Sequence, residues 1–509
     1  MAELVSAASR YDELNGERSS VTDRAELCAE LTIPYLFRED GASATDDLER
    51  KYTQGYGAKL VNHLVGKFAL SILPPSQPFY RLSATQEAME AITQGDEAAA
   101  FEIEKVLATQ EEGILRYINK SRFRSSLYPA LRLAMVTGDS LVEKIVSNGS
   151  YRVFNMRNYV IKRDAAGNIL DLIIKEVLDF DAVPEEIRNT IPDEKKEDEV
   201  NLYTRVRLEE KVYKINQEIN EVIVSGSEEE IDNISDRFIS IRWNKVDGED
   251  YGRSFIEEYL GTMIALEKQS QVINESAIVA SKTIFTVNPN GMTKYEDFVD
   301  AANGDVIIGQ ETDVGTIKTN KHVDMQVTHA IVQEYKKELA EAFLLGSAAI
   351  RDAERVTAHE VQMVASELEA SFGGIYTAIA EDIQMPLIEN AMKTLKIDGG
   401  DDIDIIVTAG VEALGRNIEL SKINSLIQEL GMLGQLVGQE AVAKTVNVAA
   451  MTSAMVANSG VASKNFLYSK PQMDQAEMAA REEAIGKEAL TPAMQQLGAG
   501  GMQQLMEGE

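Results

Sequence analysis

The sequence predicts an α+β fold, mainly α, divided into more than one lobe. Three observations carry this. Apolar residues recur at three- and four-residue steps over most of the chain, the period of an amphipathic helix. One internal block, 140–225, is instead rich in Val, Ile, Tyr and Thr with turn residues between short runs, the pattern of a sheet. The chain also has 509 residues, 44% of them hydrophobic, which is enough for several cores.

Helical spacing first appears at 23–37 and returns at 48–73, where Leu60, Leu64, Phe68 and Ile72 share a face with Val61 and Val65 beside them. Pro74 and Pro75 stop that helix. His63 sits next to the stripe and reads as a structural histidine, since no His or Cys stands at metal-ligand spacing from it. Helices follow at 98–119 and 125–136, and strands at 140–146, 151–155, 159–163, 169–177, 202–215 and 221–225. Asn148-Gly149 and Gly167-Asn168 supply hairpin-like turns, and the charged run 184–200 reads as a helix or an exposed connection.

A long helical stretch is expected from 246 to 282, with Ile256, Tyr259, Leu260, Met263, Ile264 and Leu266 near its start. Its later part mixes polar and apolar residues on several faces, which suits a subunit interface in a ring better than a monomer core, with a helix packed on two sides as the alternative. Residues 283–322 break into short strand-like pieces, IFTV, DVII and GTIKT, separated by Pro289 and several glycines. A second helix, 323–345, leads into a charged loop, 346–356. Thr357 and Glu360 then form a capping-box pair, starting a long helix striped by Val361, Val364, Leu368, Phe372, Ile375, Ile379 and Ile383. Gly373-Gly374 should bend it and Pro386 should end it. A turn and strand follow Lys396, helices continue to about 468, and the Gln-, Met-, Ala- and Gly-rich end beyond Pro471 is expected to be partly helical and then frayed.

A formal charge of −33 means the surface as a whole repels phosphate and is not built to wrap nucleic acid tightly. The acidity serves either solubility or the passage of DNA without sticking; composition alone does not separate the two. One cysteine, Cys28, excludes an internal disulfide, and its place between Leu27 and Leu31 reads as an inert core thiol. The N-terminus lacks the features of a signal peptide and no run approaches a membrane span, so a soluble, unexported protein is expected, with no membrane partner.

Enzymatic constellations are missing. There is neither a phosphate-binding Gly-x-x-x-x-Gly-Lys-Ser/Thr loop nor a Gly-x-Ser-x-Gly elbow, and Met363 stands where a zinc protease would need the second histidine after His359-Glu360. Asp398, Asp401, Asp402 and Asp404 offer hard oxygen ligands to a divalent cation, but their spacing fits no EF-hand loop and a solvated turn accounts for them. Arg152, Arg157, Lys162 and Arg163 among the strands, and Lys318 and Lys321 in the insertion, are candidates for phosphate contact. Arg351 and Arg355 are stronger ones because they occupy a loop between helices; in the plain reading they pair with Asp352 and Glu354 nearby.

Four blocks, in order, carry a family resemblance: GYGAKLVNHLVGKFALSILPP at 55–75, VDGEDYGRSFIEEYLG at 246–261, AERVTA with VASELE and GGIY at 353–376, and TAGVEALGR at 408–416. Together they resemble the portal, or head-to-tail connector, proteins of podovirus-type short-tailed bacteriophages. The resemblance implies a portal-type subunit assembling into a ring, of twelve copies in that family, at one capsid vertex of the virion, with assembly in the host cytoplasm. Its function would be packaging, retention and ejection of double-stranded DNA through the central channel, without enzymatic activity or cofactor. The partners it implies are other copies of the chain, the terminase large subunit, the major capsid and scaffolding proteins, and a tail adaptor.

Carried onto this chain, the family's parts would be the wing at 1–245, stem helices at 246–282 and 323–345, a small β-containing clip at 283–322 and a channel loop at 346–356. The remaining parts would be wing helix and strand at 357–415, a helical crown at 416–470 and a tail at 471–509. Arg351 and Arg355 would then lie at the narrowest part of the channel, with Lys318 and Lys321 as candidate clip or DNA contacts. Twelve copies would carry on the order of −400 charges, keeping the duplex centred while sparse arginines act as weak brakes. Two other readings stay open: another ring-forming virion component such as a tail adaptor, or a metal-dependent hydrolase acting through Asp398–Asp404.

Overall fold

The computed structural model describes residues 5–37, 54–74, 79–93, 97–145, 149–182, 199–219, 221–281, 284–317, 322–346, 358–397, 403–407 and 425–432. The chain divides into one compact unit made of Met1–Pro75 and Ile118–Ala391, and another made of Ser76–Tyr117 and Met392–Glu509.

In the first unit, helix α1 (Ala7–Glu17) starts at Ser6, whose hydroxyl accepts from the Ser9 N–H. The sequence pattern predicts no element here. Tyr11 and Leu14 of α1 pack on Val160, Ile173 and Tyr203 of a sheet. Helix α2 (Ser19–Leu31) follows, and helix α3 (Tyr56–Ile72) buries Leu60, Leu64, Phe68 and Ile72 as its stripe predicts, ending before Pro74. In the second unit, strand β1 (Tyr80–Ala84) precedes helix α4 (Gln86–Thr93) and helix α5 (Glu97–Lys120), whose last turn returns to the first unit.

Helix α6 (Phe123–Thr137) packs against α2 and α3 and ends at Gly138, φ +94°. That glycine is required: a Cβ there would lie 2.3 Å from the Gly252 carbonyl oxygen. Nine strands follow, β2 (Asp139–Lys144), β3 (Tyr151–Phe154), β4 (Tyr159–Arg163), β5 (Ile169–Asp179), β6 (Glu199–Glu209), β7 (Val212–Ile219), β8 (Val222–Ile223), β9 (Glu229–Ile231) and β10 (Phe238–Arg242). They form antiparallel sheets in the orders β10-β2-β3 and β4-β5-β6-β7-β8, with β9 also on β7. The single strand expected at 202–215 is instead a hairpin: Glu209 pairs with Val212, and Glu210 takes φ +60°. No Gly or Asn marks that turn; Lys214 holds Glu209 at 2.9 Å beside it. The charged run at 184–198 lies outside the described residues.

The helical stretch expected from 246 begins later. Residues 246–253 form turns, Gly248 has φ +78°, and helix α7 (Phe255–Glu258) starts with a capping box in which Ser254 and Glu257 bond reciprocally. Helix α8 (Leu260–Ser281) continues it. In the insertion, strands β11 (Ile284–Val287) and β12 (Val314–Ile317) pair antiparallel, with helix α9 (Tyr295–Asp300) between them. DVII, expected as a strand, is irregular and pairs with no strand among the described residues, and Val306 is 96% exposed. What organises the insertion is polar: the Asp313 carboxylate accepts from the N–H groups of Met292, Thr293 and Gln310 and from the Thr293 hydroxyl.

Helix α10 (His322–Ala342) runs back beside α8. The long striped helix is two helices, α11 (Ala358–Phe372) and α12 (Gly374–Leu395), separated by Gly373 at φ +51°, the expected break. Thr357 of the anticipated capping box lies outside the described residues. Pro386 does not end the helix; α12 passes through it, because Leu387, Ile388 and Ala391 beyond are fully buried and their packing offsets the missing backbone bond. In the second unit, strand β13 (Ile403–Val407) pairs antiparallel with β1, confirming the strand expected after Lys396.

Candidate functional site

Of the expected DNA contacts, Lys318, Lys321, Arg351 and Arg355 lie outside the described residues. So do Asp398, Asp401 and Asp402; Asp404 sits in β13 opposite Ser83. What is described is the frame on either side of the charged loop, and it is built around one lysine.

Lys67 interrupts the apolar stripe of α3 between Leu64 and Phe68, and its side chain is fully buried. Its ammonium donates to the Leu344 carbonyl at 3.1 Å and to Glu367 Oε2 at 2.7 Å. Leu344 follows α10, and Glu367 lies in the middle of α11. One cation thus ties the chain that leads into residues 347–357 to the helix that follows them. The carbonyl is presented by a Schellman-type ending: Leu345 N–H bonds Ala340 O at 2.8 Å, Leu344 N–H bonds Glu341 O at 3.2 Å, and Leu344 itself has φ +52°. A left-handed leucine costs roughly 1 kcal/mol, which the bonds to its carbonyl help to offset.

His63, one turn before Lys67, places Nε2 3.1 Å from the same carbonyl. Burial pushes its pKa down, with the carbonyl bond opposing and Lys67 assisting. The structural reading of His63 holds.

Around this node lies an aromatic cluster. Phe68 packs on Trp243, Phe372 and Tyr376 with ring centroids 4.8, 5.3 and 5.7 Å away, and Phe255 touches Trp243, Phe343 and Phe372. Phe343 precedes the loop and Phe372 ends α11, so both flanks are seated in one core. Tyr376 is bonded to Ser71, and burial raises its pKa to about 12.

The α8–α10 pair changes character along its length. Near the core Met263, Leu266, Val332 and Leu339 are buried, whereas Val272, Ile278, Val279 and Val327 farther out are about half exposed or more. Val272, Val279 and Val327 thus leave apolar surface on the outer part of this helical hairpin that the described residues do not cover.

The cations among the strands are occupied. Arg152 pairs with Glu176, Arg157 with Glu26, Lys162 with Asp250 and Glu17, and Arg163 donates to Asp250 O, Gly167 O and Ser240 Oγ. Cys28 is buried, and desolvation raises its thiol to about 12, as an inert core cysteine requires. Among the described residues no group of His, Cys, Asp and Glu is placed to hold a metal ion, and no helix is long and apolar enough to cross a membrane.

The model of the bacteriophage head to tail connecting proteins matches residues 5–467. This chain belongs to that family. The portal protein of Escherichia phage T7 is 33% identical to the connector over 438 residues, covering 83% of this chain and 81% of the relative. The portal protein of Enterobacteria phage T3 is 32% identical over 448 residues, covering 85% and 83%. Among solved structures, the neck of a native GTA particle computed with C12 symmetry is similar at 11% identity and a TM-score of 0.31, over 75% of this chain and 90% of that one.

Sequence reasoning passed over Lys67, although a lysine inside the α3 apolar stripe was a visible signal that something buried and polar must meet it. It also passed over the cations of α6, which stand in a stretch without carboxylates.

Proposed function

We propose that this connector is a portal subunit: copies close into a ring at one capsid vertex, and DNA enters and leaves the head through the channel they enclose. The observation that carries the reading is the outer part of the α8–α10 hairpin, whose exposed Val272, Val279 and Val327 call for a neighbouring helical pair. The relatives named portal proteins, similar over four fifths of the chain, give it its setting.

In this reading α8 and α10 are the stem, the Asp313-centred insertion is the clip, residues 346–356 are the channel loop, and α11 with α12 belongs to the wing. Residues 1–245 and 396–415 complete the wing, 416–470 form the crown and 471–509 the tail. The ring has twelve subunits, sits in the virion after assembly in the host cytoplasm, and meets the terminase large subunit, the capsid and scaffolding proteins and a tail adaptor. Its work is mechanical and electrostatic, without a catalytic residue or cofactor. Acidic walls keep the duplex centred, Arg351 and Arg355 brake it by touching phosphates, and Lys318 and Lys321 are secondary contacts in the clip. Lys67 sets the spacing between the two flanks of the loop. Two-dimensional imaging of the purified chain tests the reading: closed rings with a central hole are expected, and single subunits at every concentration would overturn it.

A further inference from the structure

We propose that a cationic stripe on α6 and the turn before it is a second binding surface for the sugar–phosphate backbone of double-stranded DNA, separate from the channel loop. From Ile118 to Gly138 the chain carries Lys120, Arg122, Arg124 and Arg132 and no carboxylate. Lys120, Arg122 and Arg124 are exposed and Arg132 partly so.

The partners of these cations are what set them apart. Arg124 donates to the carbonyls of Leu73 and Pro74, and Arg132 is held between the rings of Tyr35 and Tyr128, 5.6 and 5.9 Å away, with a bond to the Tyr35 hydroxyl at 2.6 Å. Carbonyls and rings fix a guanidinium without neutralising it. In a chain with 83 carboxylates, none of the four forms an ion pair with a described residue, whereas Arg152, Arg157 and Lys162 all do.

Arg124, Tyr128 and Arg132 stand at four-residue steps, so they run about 12 Å along one helix face. Laid parallel to a duplex axis, that length spans three to four phosphates of one strand at roughly 3.4 Å of axial rise each. Exposed Ser125 and Asn62, the latter bonded to Tyr128 at 3.3 Å, add the neutral polar groups usual beside phosphates and sugars. The remaining surface is acidic, but screening beyond about 8 Å at physiological salt leaves the local field in control of binding.

The full-length protein is titrated into a fluorescein-labelled 30-base-pair duplex at several salt concentrations, comparing wild type with Lys120→Gln/Arg122→Gln, whose exposed side chains leave the fold intact, and with the same pair plus Arg132→Gln. Wild type is expected to bind. Affinity at 50 mM salt should fall about tenfold or more in the triple variant, and the log–log salt slope should flatten by roughly 0.9 for each phosphate no longer neutralised. Failure of wild type to bind, or wild-type affinity and slope retained in both variants, overturns the proposal. Lost ring assembly with DNA affinity retained also overturns it, and would make the stripe a contact for an acidic protein surface. Assembly mass, read separately on the same samples, distinguishes this outcome from failure of the ring reading.

Discussion

Replacing Lys67 by Met removes the ammonium, with its bonds at 3.1 and 2.7 Å, and keeps most of the aliphatic stem against the α3 neighbours. Removing one member of a buried ion pair costs about 3–5 kcal/mol when the other is stranded. Here neither partner is fully stranded. The Leu344 carbonyl keeps His63, and the Glu367 side chain is 27% exposed and can regain water. The expected loss is therefore about 2 kcal/mol. Denaturant midpoints measured for Lys67→Met, Glu367→Gln and the double variant, at a shared slope, complete a double-mutant cycle. The double variant should lose less than the sum of the singles by about 1 kcal/mol or more. Strict additivity, or a single-variant loss below about 0.5 kcal/mol, would refute the idea that this lysine ties the flanks of the loop together.

Asp substitutions at Val272, Ile278 and Val279 should leave the subunit folded by circular dichroism and abolish rings in imaging, since these residues are already exposed within the chain; rings persisting in the triple variant would remove the stem from the interface. Replacing Arg351 and Arg355 by Ala should lower DNA retention in filled heads, and unchanged retention would end their role as brakes. Because burial raises the Cys28 thiol from 9.0 to about 12, the native fold favours the neutral form. That contribution to stability is complete below pH 9 and declines as pH rises from 9 toward 12. At about pH 8 a thiol reagent should label Cys28 only after denaturation, and rapid labelling of the native protein would contradict its burial.

Features set by local rules were legible in the sequence. Helix α3 stops before Pro74, Gly373 breaks the long helix, and the Val- and Ile-rich runs at 139–179 became strands because backbone sterics decide these within a few residues. The misses share another origin. Pro386 was overridden by packing at Leu387, Ile388 and Ala391, which sequence spacing does not weigh. Glu210 took a left-handed turn usually reserved for Gly or Asn because the β6–β7 ladder on either side fixed the register. DVII had strand chemistry but no strand to pair with among the described residues, and Asp313 organised the insertion through backbone donors that leave no periodicity. The Ser254–Glu257 capping box was readable and moves the helix start to Phe255. Of the site, the loop frame could be anticipated from the four family blocks, but the bonds of Lys67 to residues about 280 and 300 positions away could not.

Closure of this chain into a ring is tested most directly by the mass of the assembly. Native mass spectrometry of the purified protein should show, for twelve copies of a 56.1-kDa chain, a species on the order of 670 kDa. A large closed assembly of another number would keep the ring and correct its count. A single 56.1-kDa species across protein and salt concentrations would contradict ring closure.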